Sequence, residues 1–134
     1  MLIEIKTYVS MPIYEQLRNQ IVLGIAAKEL IPCERLPSVR NLAADLGINF
    51  HTVNKAYSML CDEGYIVMDR RQGAVVAQEM PNGESIFSNL SQQLLISAAE
   101  AVCHGIDEKG FLSICADCYK KATTITKNTE NGGC

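Results

Sequence analysis

The sequence predicts a mainly α-helical chain with a small β-hairpin, in which an N-terminal winged helix-turn-helix is followed by a two-helix C-terminal dimerisation segment. Three observations predict it. Two apolar stripes at helical spacing flank a glycine turn between Leu36 and Gly64. Two short apolar runs around a basic turn follow at once, over Tyr65–Ala77. Beyond a stretch containing Pro81, Asn82 and Gly83 lie two further amphipathic segments. The expected division is 1–77 for the winged helix, 78–84 for a linker, 85–126 for the two helices and 127–134 for a flexible tail.

Taken in order, Leu2, Ile3, Glu4 and Ile5 alternate in a way that suits a short strand or an arm lying on the body. Pro12 suits the first position of a helix, where its missing N–H costs nothing. Ile13, Leu17, Ile21 and Ile25, with Tyr14 alongside, give that helix one apolar face up to about Lys28. Ile31–Glu34 reads as a turn and Glu34–Leu36 as a short extended piece.

Val39, Leu42, Ala43 and Leu46 then fall at i, i+3, i+4 and i+7. Ser38 can cap this helix by accepting from a first-turn N–H, and Gly47 supplies the stop. Asn49 can cap the next helix, where Val53, Ala56, Tyr57 and Leu60 repeat the stripe before Gly64. Two amphipathic helices joined by a tight glycine-containing turn are the helix-turn-helix signature. With that stripe buried, Phe50, His51, Thr52, Asn54, Lys55 and Ser58 face outward. Asn pairs bidentately with adenine, Thr offers a hydroxyl and a methyl, and His offers a donor. A merely solvated helix face is the plain alternative. The hairpin that follows weakens it, because a turn of Asp69, Arg70, Arg71, Gln72 and Gly73 directly after such a helix reads as a wing whose arginines can reach phosphates or a narrow minor groove.

Charge agrees with a local interface. The chain carries 12 basic and 15 acidic side chains, a net charge of −3. Residues 1–77 are balanced, so the acidic excess lies beyond them. DNA needs a basic face rather than a basic chain, and Arg35, Arg40, Lys55, Arg70 and Arg71 can supply one.

In the C-terminal part Leu90, Leu94, Ala98 and Ala101 share a face with Phe87 and Leu95 nearby. After Gly105, with Asp107 as a cap, Phe111, Cys115, Cys118, Ala122 and Ile125 form another, flanked by Leu112 and Tyr119. Two such helices cannot close a core alone. A second copy of the chain is the economical cover, which places Phe87, Leu90, Leu94, Ala98, Phe111, Cys115 and Cys118 at a homodimer interface.

Other functions fare less well. No run approaches the ~18 apolar residues of a membrane span, and MLIEIK lacks a basic segment leading into an apolar core. A cytoplasmic location and no membrane partner are expected, with the six cysteines as reduced thiols. Cys115 and Cys118 at i, i+3 can share a metal if Cys103, His104 and Cys134 complete the set. They fall on the apolar seam, however, where free Cys behaves as a small hydrophobe, and no metal or cofactor is predicted. A metal- or thiol-responsive regulator remains an alternative, as does a winged helix used for protein association. With two histidines, neither placed for a Ser-His-Asp arrangement, and no phosphate-binding loop, the chain is not expected to be an enzyme. The C-terminal segment is too small to enclose a typical effector cavity alone, and any effector stays unassigned.

The segments PIYEQLRNQI, LPSVRNLAADLGINFHTVNKAYSMLCDEGYI and RRQGAVVA resemble the winged-helix DNA-binding domain of GntR-family bacterial transcription regulators. The resemblance covers residues 12–77, and the short C-terminal part is similar to the YtrA-like subfamily. It implies a homodimer on an inverted-repeat operator in double-stranded DNA, usually repressing. It also implies DNA contacts at Arg40, at Asn49, Phe50, His51, Thr52 and Asn54, and at the wing residues Arg70, Arg71 and Gly73. Three departures stand out. Cys33 occupies a position where glycine is common. Only the second glycine of the usual Gly-x-Gly wing is kept, in Arg71-Gln72-Gly73. Phe50 and His51 replace more usual small or basic residues, so a base preference cannot be carried over.

Overall fold

The computed structural model describes residues 3–81 and 83–124. Leu2, Asn82, Ile125, the tail from Lys127 and Cys134 lie outside the described residues. The chain forms two compact units, one ending at Met80 and the other beginning at Pro81.

The first unit holds α1 (Ile13–Ala26), α2 (Val39–Leu46), α3 (Phe50–Asp62), β1 (Ile66–Asp69) and β2 (Gly73–Val76). Its core gathers Leu17 and Ile21 of α1, Leu42 and Ala43 of α2, the whole α3 stripe of Val53, Ala56, Tyr57 and Leu60, and Ile66, Ala74 and Val76 of the hairpin. The two central helices start and stop where their caps dictate. Asn41 N–H donates to Ser38 Oγ at 3.1 Å, and His51 N–H donates to Asn49 Oδ1 at 2.8 Å. Gly47 takes φ +67°, the left-handed value that lets the chain turn sharply out of α2.

The ends of α1 differ from expectation by one or two residues. Pro12 sits just outside the helix as its N-cap, its carbonyl accepting from Glu15 and Gln16, and the helix ends at Ala26. Lys28 then adopts φ +63°. The N-terminal residues lie on α1 as an arm rather than pairing as a strand. Gln16, a buried polar residue of α1, exchanges hydrogen bonds with Lys6 N–H and Lys6 O at 2.8 Å and also donates to Met11 O. Gln20 holds Glu4 in the same way. Ile3 and Ile5 thereby pack against the core.

The hairpin is antiparallel, with Ile66 opposite Val76 and Asp69 opposite Gly73. The extended piece before α2 joins it as a further strand segment. Arg35 bridges Val75, Cys33 N–H donates to Val76 O, and Leu36 N–H donates to Ala74 O. The apolar run from Tyr65 to Met68 is only partly a core strand. Ile66 is buried and Val67, on the opposite face, is exposed; Met68 shares the face of Ile66 but is exposed at the groove beside α3.

The second unit holds α4 (Glu84–Cys103) and α5 (Glu108–Thr124). Gly110 N–H donates to Asp107 Oδ1 at 2.8 Å, so Asp107 caps α5 as its position suggests. Ala101 is the buried residue of α4, α5 has none, and the two helices share no extended backbone packing. No helix of the described residues is long and apolar enough to cross a membrane.

Candidate nucleic-acid interface

Three parts of the first unit meet around one surface groove of about 250 Å³. Val39 opens α2, Asn54, Tyr57, Ser58, Cys61 and Asp62 lie along α3, and Met68 belongs to β1. The groove therefore runs beside the outer face of α3, between the start of α2 and the wing. Tyr57 fixes part of that arrangement. Its hydroxyl donates to the Pro37 carbonyl at 2.7 Å, tying α3 to the residues that lead into Ser38 and Arg40. Burial pushes the Tyr57 phenol up to about 12, so it stays protonated and able to donate across the ordinary pH range. Periodicity marks Tyr57 as a core residue and says nothing of this hydrogen bond, since the acceptor lies 20 residues back in the chain.

The side chains expected at the interface distribute as follows. Arg40 is exposed in the first turn of α2. At the start of α3, Asn49 spends its carbonyl oxygen on the His51 N–H, which leaves its NH₂ for a partner. Phe50 is 43% exposed and meets the His51 ring edge-on, centroids 5.7 Å apart. It is thus neither buried nor wholly outward, and the pair forms an aromatic step at the tip of the helix. His51 and Asn54 are exposed and Thr52 is half-buried. Lys55 places Nζ 3.9 Å from the centre of the Tyr14 ring, so in the free protein its charge rests on α1. Arg35 is exposed on the segment that bridges β2. Arg70 and Arg71 are exposed at the wing turn, and Gly73 takes φ +77° at its end.

Charge at this surface is available rather than spent. Among the described residues the ion pair found is Arg18–Glu63, at 2.6 Å between α1 and the end of α3, and it involves none of Arg40, Arg70 and Arg71. Exposed guanidinium groups that no carboxylate neutralises can bind phosphates by displacing condensed counterions. Short polar side chains at the start of an exposed helix have the size and donor–acceptor character to read base edges in a major groove.

The residues expected at an interface between copies stand on α4 and α5. Phe87, Leu90 and Leu94 are exposed, Ala98, Phe111 and Cys115 are half-buried, and Cys118 is exposed. Cys33, Cys61, Cys103, Cys115 and Cys118 are free thiols. Burial, with Asp62 beside it, raises the Cys61 thiol and keeps it protonated. No group of three or more His, Cys, Asp or Glu side chains among the described residues is arranged to hold a metal ion.

Comparison with known proteins agrees with this geometry. The family described as "Bacterial regulatory proteins, gntR family" matches residues 11–76, the span of the winged helix. An HTH-type transcriptional regulator of Bacillus subtilis, YhcF, is 33% identical over 86 residues, 64% of this chain and 71% of that protein. The solved structure of YtrA from Sulfolobus acidocaldarius, a GntR-family transcription factor, is 39% identical with a TM-score of 0.63, covering 75% of this chain and 99% of that one. A structure from Listeria monocytogenes described as a transcriptional antiterminator covers 98% of both chains with a TM-score of 0.88; at 22% identity it shows a shared fold. The relatives and the family are regulators rather than enzymes. This chain belongs to the GntR family of bacterial transcription regulators, is YtrA-like within it, and is a DNA-binding regulator built on a winged helix-turn-helix.

Proposed function

We propose that this chain is a cytoplasmic repressor that binds an inverted-repeat operator as a homodimer. The observation that carries the reading is the groove beside α3, which brings the start of α2, the recognition helix and the wing strand to one surface. On this reading α3 enters the major groove, and Asn49, Phe50, His51, Thr52 and Asn54 meet base edges. Arg35, Arg40 and Lys55 bind phosphates on either side. Arg70 and Arg71 reach the backbone or minor groove beyond, and Gly73 lets the wing approach closely. Lys55 would leave Tyr14 for a phosphate, exchanging a cation–π contact for an ionic one.

Dimerisation is supported by the unpartnered apolar side chains of α4 and α5. A two-fold dimer would bring two recognition helices to the two halves of an inverted repeat. Repression needs nothing further, since a dimer seated on an operator excludes other proteins from the same DNA.

The test is fluorescence anisotropy on the DNA upstream of the protein's own gene, with a salt titration. Arg40→Ala should weaken binding about five- to tenfold and lower the slope of log K against log salt by about one unit, the signature of one lost phosphate contact. Unchanged affinity and slope would take Arg40 out of the interface.

A further inference from the structure

We propose that Asp69 is a positioning residue of the wing: its side chain sets the tip that presents Arg71. The inference rests on the reading that the wing meets DNA. Asp69 and Gly73 face each other as the last pair of the hairpin, so Arg70, Arg71 and Gln72 form a three-residue tip. Three-residue hairpin tips commonly combine an ordinary turn with one left-handed residue at its end. Here the left-handed residue is Gly73, at φ +77°, the first residue of β2 rather than the third of the tip. Arg71 is not among the non-glycine residues with positive φ, so the tip turns at Arg71 without a left-handed backbone.

The turn is instead held from its first residue. Asp69 Oδ1 accepts from Arg71 N–H at 2.7 Å and from Gln72 N–H at 3.2 Å. A carboxylate that bonds the backbone two and three residues on fixes a turn without help from the solvent. Its charge is otherwise out of place. Asp69 is exposed at a tip that would approach phosphates, where like charges repel. Neither Arg70 nor Arg71 forms an ion pair with it among the described residues. A carboxylate there, engaged with two backbone donors, acts through geometry.

Geometry and charge predict opposite signs, which makes the idea testable on the full chain. The probe is a fluorescein-labelled random-sequence duplex, because phosphate contacts do not depend on sequence. If Asp69 only adds negative charge, Asp69→Ala should tighten binding. We expect the reverse. Asp69→Ala should weaken it about three- to tenfold and flatten the salt slope by up to about one unit, as Arg71→Ala should, although no cation has been removed. Asp69→Asn keeps the accepting oxygen and loses the charge, so it should bind as tightly as the parent or more tightly.

Loss of affinity in Arg71→Ala together with normal or tighter binding by Asp69→Ala would overturn the role of Asp69 and leave the wing contact standing. Silence of both variants would remove the wing from DNA and overturn both readings. An Asp69→Asn protein as weak as Asp69→Ala would also overturn the inference, because the acceptor would then be irrelevant.

Discussion

Leu60 of α3 and Leu90 of α4 sit on apolar stripes of the same helical period, yet the first is 0% exposed and the second 53%. The same contrast separates the two units. In the N-terminal one, three helices and a hairpin each offer an apolar face to the others, and Leu17, Ile21, Val53, Leu60, Ile66 and Val76 disappear from solvent. In the C-terminal one, two helices of 20 and 17 residues leave Phe87, Leu90, Leu94 and Leu95 in water. An amphipathic pattern states that a face seeks cover and does not state which element provides it. The first unit satisfies that demand within one chain. Under the proposed dimer the second satisfies it between two.

The largest effect should come from attacking that difference directly. Leu94→Glu places a charge on the proposed seam, where burial without a partner costs several kcal/mol. Sedimentation should find monomers whose winged helix is still folded, with operator binding greatly weakened. A mutant that remains dimeric would put the interface elsewhere and break the comparison.

The converse change is Leu60→Ala. Removing a fully buried leucine should cost about 2–5 kcal/mol, from lost transfer energy and the cavity left behind. Urea denaturation should report this loss equally at low and high protein concentration. A cost that vanishes on dilution would mean that the first unit also depends on a partner.

Tyr57→Phe probes the hydrogen bond between α3 and the approach to α2. The Pro37 carbonyl loses its donor, at a cost of about 1 kcal/mol in stability. A pH series sharpens the result. The folded phenol titrates at about 12 against 10.0 when unfolded. Its contribution is therefore complete below about 10 and lost as pH rises towards 12, where the unfolded chain releases the proton first. The gap between parent and Tyr57→Phe should narrow across that window. A gap that stays constant would show that the hydroxyl is not held as described.

The smallest effect concerns Cys33, an exposed residue at φ +69°. A side chain there costs about 1–2 kcal/mol. Glycine would relieve the strain while giving back about 0.5–1 kcal/mol of unfolded-chain entropy. Cys33→Gly should therefore raise stability by roughly 0.5–1 kcal/mol, read as a higher melting temperature. A lower one would mean that the thiol makes a contact worth more than the strain.

What the residues determine by themselves is whatever depends on near neighbours. The stripe of Val53, Ala56, Tyr57 and Leu60, the caps at Ser38, Asn49 and Asp107, and the turn at Gly47 are each decided within about one helical turn, and all appear as expected. Tertiary structure decides what depends on partners far along the chain. It makes Arg35 part of the sheet through Val75, uses Gln16 to clamp the N-terminal arm, and leaves Val67 and Met68 in solvent although they belong to an apolar run. It also reveals that Cys33 bears a left-handed backbone and that Tyr57 reaches Pro37. Helical period and capping are local because their hydrogen bonds close over three or four residues. Burial and long-range hydrogen bonds depend on which surfaces meet, and that is settled only when the whole unit packs.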